Sequence, residues 1–200
     1  MIADLVRRTR SCRRFYEEHT ISTGTLRDLV DLARLGASGG NKQPLKYLLS
    51  NDRVTNDVIF PKLGWAGYLK EWKGPEPGER PSAYIIILGD NENRKSIRVD
   101  QGISAQNILL GATDLGLAGC MIDTVDREKL RKDMHIPDRF EILLVIALGK
   151  ARERIILERI GPDGDVRYWR DESGVHHVPK RSLDEIIVSF SAPPILSGKR

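Results

Sequence analysis

Leu26, Leu29, Val30 and Ala33 recur at i, i+3, i+4 and i+7, the spacing of one buried helix face. Ser22 stands before them as an N-cap and Gly36 after them as a C-terminal cap. Ile2, Leu5 and Val6 predict a shorter helix over residues 2–8, whereas the arginine-rich run to Phe15 has no helical period and is predicted extended or loop. Ala83–Gly89 is a continuous, largely β-branched run, which marks a strand buried on both faces. Ile142–Gly149 is a second such strand, and Gly116–Asp123 leads into a third. Val99–Leu115, apolar around much of its surface, is predicted as the longest and most central helix. Tyr47–Ser50 adds a short strand, and Val54–Phe60 and Arg127–Met134 add short helices. Strands alternating with helices point to an α/β or α+β sandwich.

After Gly149 the texture changes. Ile155–Ile160, Val166–Asp171 and Val175–Val178 are short strand patterns separated by Gly161-Pro-Asp-Gly-Asp165 and Glu172-Ser-Gly174, which are hairpin signals. They predict a polar β-meander at about 154–178, an insertion in a single domain spanning 1–200. Leu183–Val188 is apolar, but the pattern gives it no neighbour.

Composition narrows the class. A hydrophobic share of 40% against 30% charged residues describes a globular chain. No apolar run approaches the ~20 residues of a membrane helix. The start, Met-Ile-Ala-Asp-Leu-Val-Arg-Arg, carries no secretion-signal pattern. Cys12 and Cys120 match neither a zinc nor a CxxC spacing, so both are expected as free thiols in a reducing cytoplasm. The net charge is +4, and five arginines crowd between Arg7 and Arg14. Such a cluster serves a phosphate, a nucleic acid or a solvated face. No stacking aromatics or recognition helix lie beside it, which argues against nucleic acid. In a phosphate clamp, Arg10 and Arg13 would bind bidentately and Ser11 would add a hydroxyl.

The stretch Ala37-Ser-Gly-Gly-Asn-Lys-Gln-Pro-Leu45 is the densest in small residues and side-chain amides. Missing Cβ atoms let a flat ligand approach the backbone, and Asn41 and Gln43 each offer donors and an acceptor to a heterocycle edge. Pro44 biases Gln43 towards extended backbone. Neither GxGxxG after a strand nor GxxxxGK[ST] occurs. Gly36-Ala-Ser-Gly-Gly40 matches GxSxG, but a nucleophile elbow follows a strand and opens a helix, and here the order is reversed. His19, His135, His176 and His177 lack metal-ligand spacing. Trp65, Tyr68 and Trp72 would share one face of a helical turn, as core packing or as a lid over a planar ligand.

Six segments together resemble the nitroreductase family: Arg10-Ser-Cys-Arg-Arg-Phe15, Ala37 to Pro44, Asp100-Gln-Gly-Ile-Ser-Ala-Gln-Asn107, Gly116 to Asp123, Ile142 to Gly149, and Lys180-Arg-Ser-Leu-Asp-Glu-Ile-Ile187. The resemblance implies an α+β fold with a central mixed or antiparallel sheet flanked by helices. It further implies an intertwined homodimer with two FMN sites at the interface. Carried over by position, Arg10, Ser11 and Arg13 hold the FMN phosphate and ribityl chain, assisted by Lys180 or Arg181. Ser38, Gly39, Asn41 and Gln43 contact the ribityl and isoalloxazine, Ser38 and Gly39 from the partner subunit. Ile122 and Asp123 lie by the flavin N5 edge. Thr9 stands where many members carry an arginine, and Leu45 where a tryptophan is common.

The implied activity is hydride transfer from NADH or NADPH, through FMN, to an electron-poor small-molecule acceptor such as a nitroaromatic or quinone, in ping-pong order. Trp65, Tyr68 and Trp72 are the candidate substrate contacts, and no side chain is named as catalytic. The alternative is an FMN-binding protein with little turnover, a sensor or flavin-modifying protein. Neither a nucleic-acid nor a membrane partner is expected.

Overall fold

The structure is a computed structural model that describes residues 1–92 and 97–188. The chain divides into two compact units, Met1–Arg154 and a second that begins at Ile155.

In the first unit the helices and strands run α1 (Ile2–Arg8), β1 (Phe15–Tyr16), α2 (Thr23–Arg34), β2 (Leu45–Ser50), α3 (Arg53–Ile59), β3 (Ala83–Asp90), α4 (Ile97–Asp114), β4 (Ala118–Ile122), α5 (Arg127–Asp133) and β5 (Phe140–Ala151). Strand β5 is the axis of one sheet. It pairs with β3 and with β4, β3 pairs in turn with β2, and β1 joins the last two residues of β5. Every one of these pairings is antiparallel.

Strand β3 shows why its apolar run is unbroken. Successive side chains of a strand point to opposite faces. Ile85 and Ile87 pack into a core with Leu26 and Leu29 of α2 and Ile108 and Ala112 of α4. Tyr84, Ile86 and Leu88 pack on the other face with Ile59 of α3 and Leu130 of α5. Both faces are covered, so all eight residues are buried. The architecture is α+β, an antiparallel sheet between two helical layers.

Helix α2 begins where expected: the Ser22 hydroxyl accepts the Thr25 N–H at 3.0 Å, a cap worth about 1 kcal/mol. Its end is different. The cap residue is Leu35 in right-handed geometry, and Gly36 is needed for close approach to α4. A Cβ at Gly36 would lie 2.7 Å from the Asn107 amide nitrogen and 3.2 Å from Ile103. Helix α4 buries Ala105, Ile108, Leu109 and Ala112 and is the longest helix among the described residues.

The second unit holds β6 (Ile155–Arg159), β7 (Trp169–Arg170), β8 (His176–Lys180) and the short α6 (Leu183–Ile186). Its strand order is β6-β8-β7, with β6 and β8 parallel and β7 and β8 antiparallel. A meander would run β6-β7-β8 with only antiparallel neighbours, so this topology departs from the predicted one. Asp165 explains part of the difference. Its carboxylate accepts the Arg167 backbone N–H at 2.9 Å and pairs with the Arg167 guanidinium, curling residues that the pattern assigned to a strand. No described helix is long and apolar enough to cross a membrane.

Candidate functional site

The loop after α2 is folded around one buried carboxylate. Asp100, in the first turn of α4, accepts the Ser38 hydroxyl at 2.6 Å and the Gly39 N–H at 3.0 Å. Ser38 Oγ in turn accepts the Gln43 N–H at 2.9 Å, closing the loop on itself. Gly39–Asn41 forms a 3-10 turn in which Gly40, Asn41 and then Gln43 take positive φ of 59°, 53° and 49°. Gln43 therefore departs from the extended backbone expected before Pro44. Its N–H bond to Ser38 and its side-chain amide bond to Asn41 Oδ1 at 3.2 Å offset the left-handed geometry. Ser38, Gln43, Leu45, Tyr47 and Ser104 line a cavity of about 320 Å³ beside this loop. The Tyr47 and Ser104 hydroxyls hydrogen-bond across it at 3.0 Å, and burial pushes the ionisation of Tyr47 upward.

The arginine segment lies at the far end of α4. The Thr9 hydroxyl bonds Thr113 Oγ1 at 3.0 Å, and Ser11 bridges to Gly119 on β4. Asp100 and Thr113 are thirteen residues apart on one helix, so the Ser38 loop and the Arg10 segment sit roughly 20 Å apart in one chain.

The arginines differ in their company. Arg8 pairs with Asp4 at 2.9 Å and Arg14 with Glu79 at 2.5 Å. The Arg13 backbone N–H donates to the Glu153 carboxylate, and its guanidinium to the Ser11 carbonyl at 3.3 Å. Arg10 donates to the Val6 carbonyl at 2.8 Å, while its buried Nε has no partner among the described residues. Burial lowers the Arg10 pKa, and no described carboxylate offsets that cost. A desolvated guanidinium without an anion fits a phosphate. The Ser38–Gln43 turn, with backbone exposed at Gly39 and Gly40, fits the face of a flat ring. Both halves suit FMN, whose ends differ in this way.

The remaining expected residues fall in three places. Ile122 ends β4, buried, and Asp123 follows it, exposed and paired with Arg127 at 2.6 Å. Trp65 packs on the same cluster as Ile122 and lies tilted against Phe60 with centroids 5.9 Å apart. The helical turn that would align Trp65, Tyr68 and Trp72 does not form. Ala66 has φ +39°, Gly64 N–H bonds the Thr124 carbonyl at 2.7 Å, and Leu63 bridges to Val125, which together draw the chain along β4's exit. Trp65 is core packing, whereas Tyr68 is 52% exposed. Lys180 ends β8 and Arg181 follows it, 3.6 Å from Glu185, both in the second unit.

Pattern reading assigned no role to Asp100, although an acidic residue in a helix's first turn beside a glycine loop is a legible signal. The Tyr47–Ser104 pair had none, because only the packing of α4 on β2 brings the two hydroxyls together.

The fold sets an antiparallel sheet between helical layers and leaves two half-sites on α4, one suited to an anion and one to a flat ring. Residues 6–150 match the nitroreductase family, and the chain belongs to that family. A protein of Archaeoglobus fulgidus assigned as NADH dehydrogenase/NAD(P)H nitroreductase is 26% identical over 153 residues, covering 72% of this chain and 83% of the relative. A Bacillus subtilis protein assigned as the NAD(P)H nitroreductase MhqN is 24% identical, covering 74% and 87%. Among solved structures, a protein from Desulfovibrio desulfuricans assigned as a nitroreductase and solved with FMN superposes with TM-score 0.68 at 20% identity, over 96% of this chain and 98% of that one.

Proposed function

We propose that this chain is an FMN-dependent oxidoreductase that takes reducing equivalents from NADH or NADPH and delivers them to an electron-poor small molecule, working as a homodimer. The observation that carries this reading is the roughly 20 Å between the uncompensated Arg10 and the Ser38–Gln43 cradle along α4. Each chain offers two complementary half-sites, and a twofold partner would unite them. The apolar side chains exposed on the same helices support such a partner: Ile2 and Val6 on α1, Leu32 on α2 and Leu35 at its end, and Val99 on α4.

In this reading Arg10 and Ser11, with Arg13, bind the phosphate. Gly39, Asn41 and Gln43 meet the ribityl chain and ring, while Ser38, engaged with Asp100 and Gln43, holds the turn in shape. The backbone at Ile122 and Asp123 borders the reacting edge. Bound FMN supplies reversible two-electron chemistry. Tyr68 is the exposed aromatic that the acceptor would meet. Cys12 and Cys120, both free and buried, support a cytoplasmic setting.

The test is the visible spectrum of the purified protein, without air, before and after NADH and then NADPH. A yellow protein that bleaches supports the reading. A colourless protein that takes up no added FMN overturns it.

A further inference from the structure

A second cavity, of about 400 Å³, opens at the other end of the sheet's β2–β3 pair. Tyr84 lies beneath it, paired with Ser50, whereas the Ser38 loop enters β2 at Leu45, opposite Gly89. The five residue steps from Leu45 to Ser50 separate the two ends by roughly 17 Å.

Three polar groups converge on this cavity, and two of them carry a buried atom that bonds no described residue. Ser82 is buried, and its hydroxyl has no partner among the described residues. Tyr84 is 1% exposed, and its hydroxyl likewise bonds no described residue. The Arg80 Nε is buried and has no hydrogen-bond partner among the described residues, its guanidinium held 4.3 Å over the Phe60 ring and 3.8 Å from Asp57. Burial is the main cause raising the Tyr84 pKa. The charge of Arg80 opposes it and those of Glu17 and Asp57 add to it, and all four residues line the cavity. Buried polar groups in proteins are nearly always hydrogen-bonded, and two buried orphans beside the unbonded Tyr84 hydroxyl, around one cavity of ligand size, mark a binding site.

The donors and charges give the ligand's shape. A guanidinium and two hydroxyls can all donate to one carboxylate. Around them stand Glu17 and Glu18, which suit an ammonium, whereas Asp57 is engaged by Arg80 and Arg53. We infer that this cavity binds a short zwitterion with a carboxylate at one end and an ammonium at the other, the class that includes lysine and ω-amino acids. The carboxylate rests on Arg80, Ser82 and Tyr84, and the ammonium on the acidic rim. The site is separate from the flavin cradle and does not depend on the oxidoreductase reading.

The test is calorimetric titration of the full chain with 6-aminohexanoate, with hexanoate and hexylamine as controls. 6-Aminohexanoate is expected to bind, and each control at least about tenfold more weakly. Tyr84→Phe and Ser82→Ala remove only an unpartnered hydroxyl, so the melting temperature should hold or rise while binding weakens about tenfold. Arg80→Gln should weaken it further. Absence of binding by 6-aminohexanoate at millimolar concentration overturns the proposal. So does a control that binds equally well, or affinity unchanged in both Tyr84→Phe and Arg80→Gln.

Discussion

Asp100 accepts the Ser38 hydroxyl at 2.6 Å from a position that is 3% exposed, so a buried carboxylate at the start of α4 shapes the glycine turn after α2. Asp100→Asn keeps the volume but turns a charged acceptor into a neutral amide. Hydrogen bonds to charged groups contribute about 1.5–3 kcal/mol, so flavin affinity should fall by tenfold or more through loss of turn geometry. Fluorescence titration with FMN checks this, with hydrogen exchange at Gly39–Gln43 as the structural readout. Unchanged exchange there would separate the turn from Asp100.

Arg10 carries a different prediction. Its Nε is buried with no described partner, so Arg10→Gln relieves a desolvated cation and should leave the melting temperature unchanged or slightly higher. FMN affinity should drop at least about tenfold, whereas riboflavin, which lacks the phosphate, should bind the variant and the parent alike. Equal losses for both ligands would assign Arg10 to the ring or to the fold.

The second unit should respond to pH through His177. Its imidazole lies between Glu158 at 3.0 Å and Asp171 at 3.2 Å, with Trp169 stacked on it at 3.9 Å. The hydrogen bond with Glu158 and then that with Asp171 raise the His177 pKa above its ordinary 6.5, against the opposing effect of burial. A raised histidine stabilises the fold fully below pH 6.5, and that contribution is lost as pH rises through the folded value. The lowered pKa values of Glu158 and Asp171 act in the other direction, their contribution fading as pH falls below the ordinary 4.5 and 3.8. Exchange protection in residues 155–180 should therefore peak between about pH 4.5 and 6.5. His177→Gln should flatten the alkaline limb, and an unaltered profile would exclude this triad as its origin.

Trp65 and Tyr68 should part company on substitution. Trp65→Ala leaves a hole against Phe60 and the Ile122 cluster and should cost about 3 kcal/mol of stability in denaturant titration. Tyr68→Ala, at an exposed position, should stay within about 0.5 kcal/mol while raising the acceptor KM. A Tyr68 variant with parental KM would remove it from the substrate path.

Much of the first unit was legible because burial writes itself into periodicity. Strand β3 reads as an unbroken apolar run since helices cover both its faces, and α2 shows its buried stripe because its other side meets solvent. The turns were legible only as turns. Nothing local announces that Ala66 takes φ +39°, and the nearby bond from Gly64 to Thr124 that anchors this stretch joins residues sixty positions apart. The same holds for the parallel pairing of Ile155 with His176, which no short-range signal encodes. For the candidate site, the residue types were visible and the resemblance implied a site shared between subunits, but no local pattern placed the Ser38 loop and Arg10 at opposite ends of α4.

That division has a genetic consequence. With half-sites joined across a twofold axis, an Arg10→Gln chain and an Asp100→Asn chain each spoil both pockets of their own homodimer. A mixed dimer collects the two lesions in one pocket and leaves the other intact. Co-refolding two flavin-poor variants in equal amounts should thus restore about a quarter of the pockets, half of the dimers being mixed with one sound pocket each. Helix α4 would then act as a spacer that makes two broken copies of the gene complement one another.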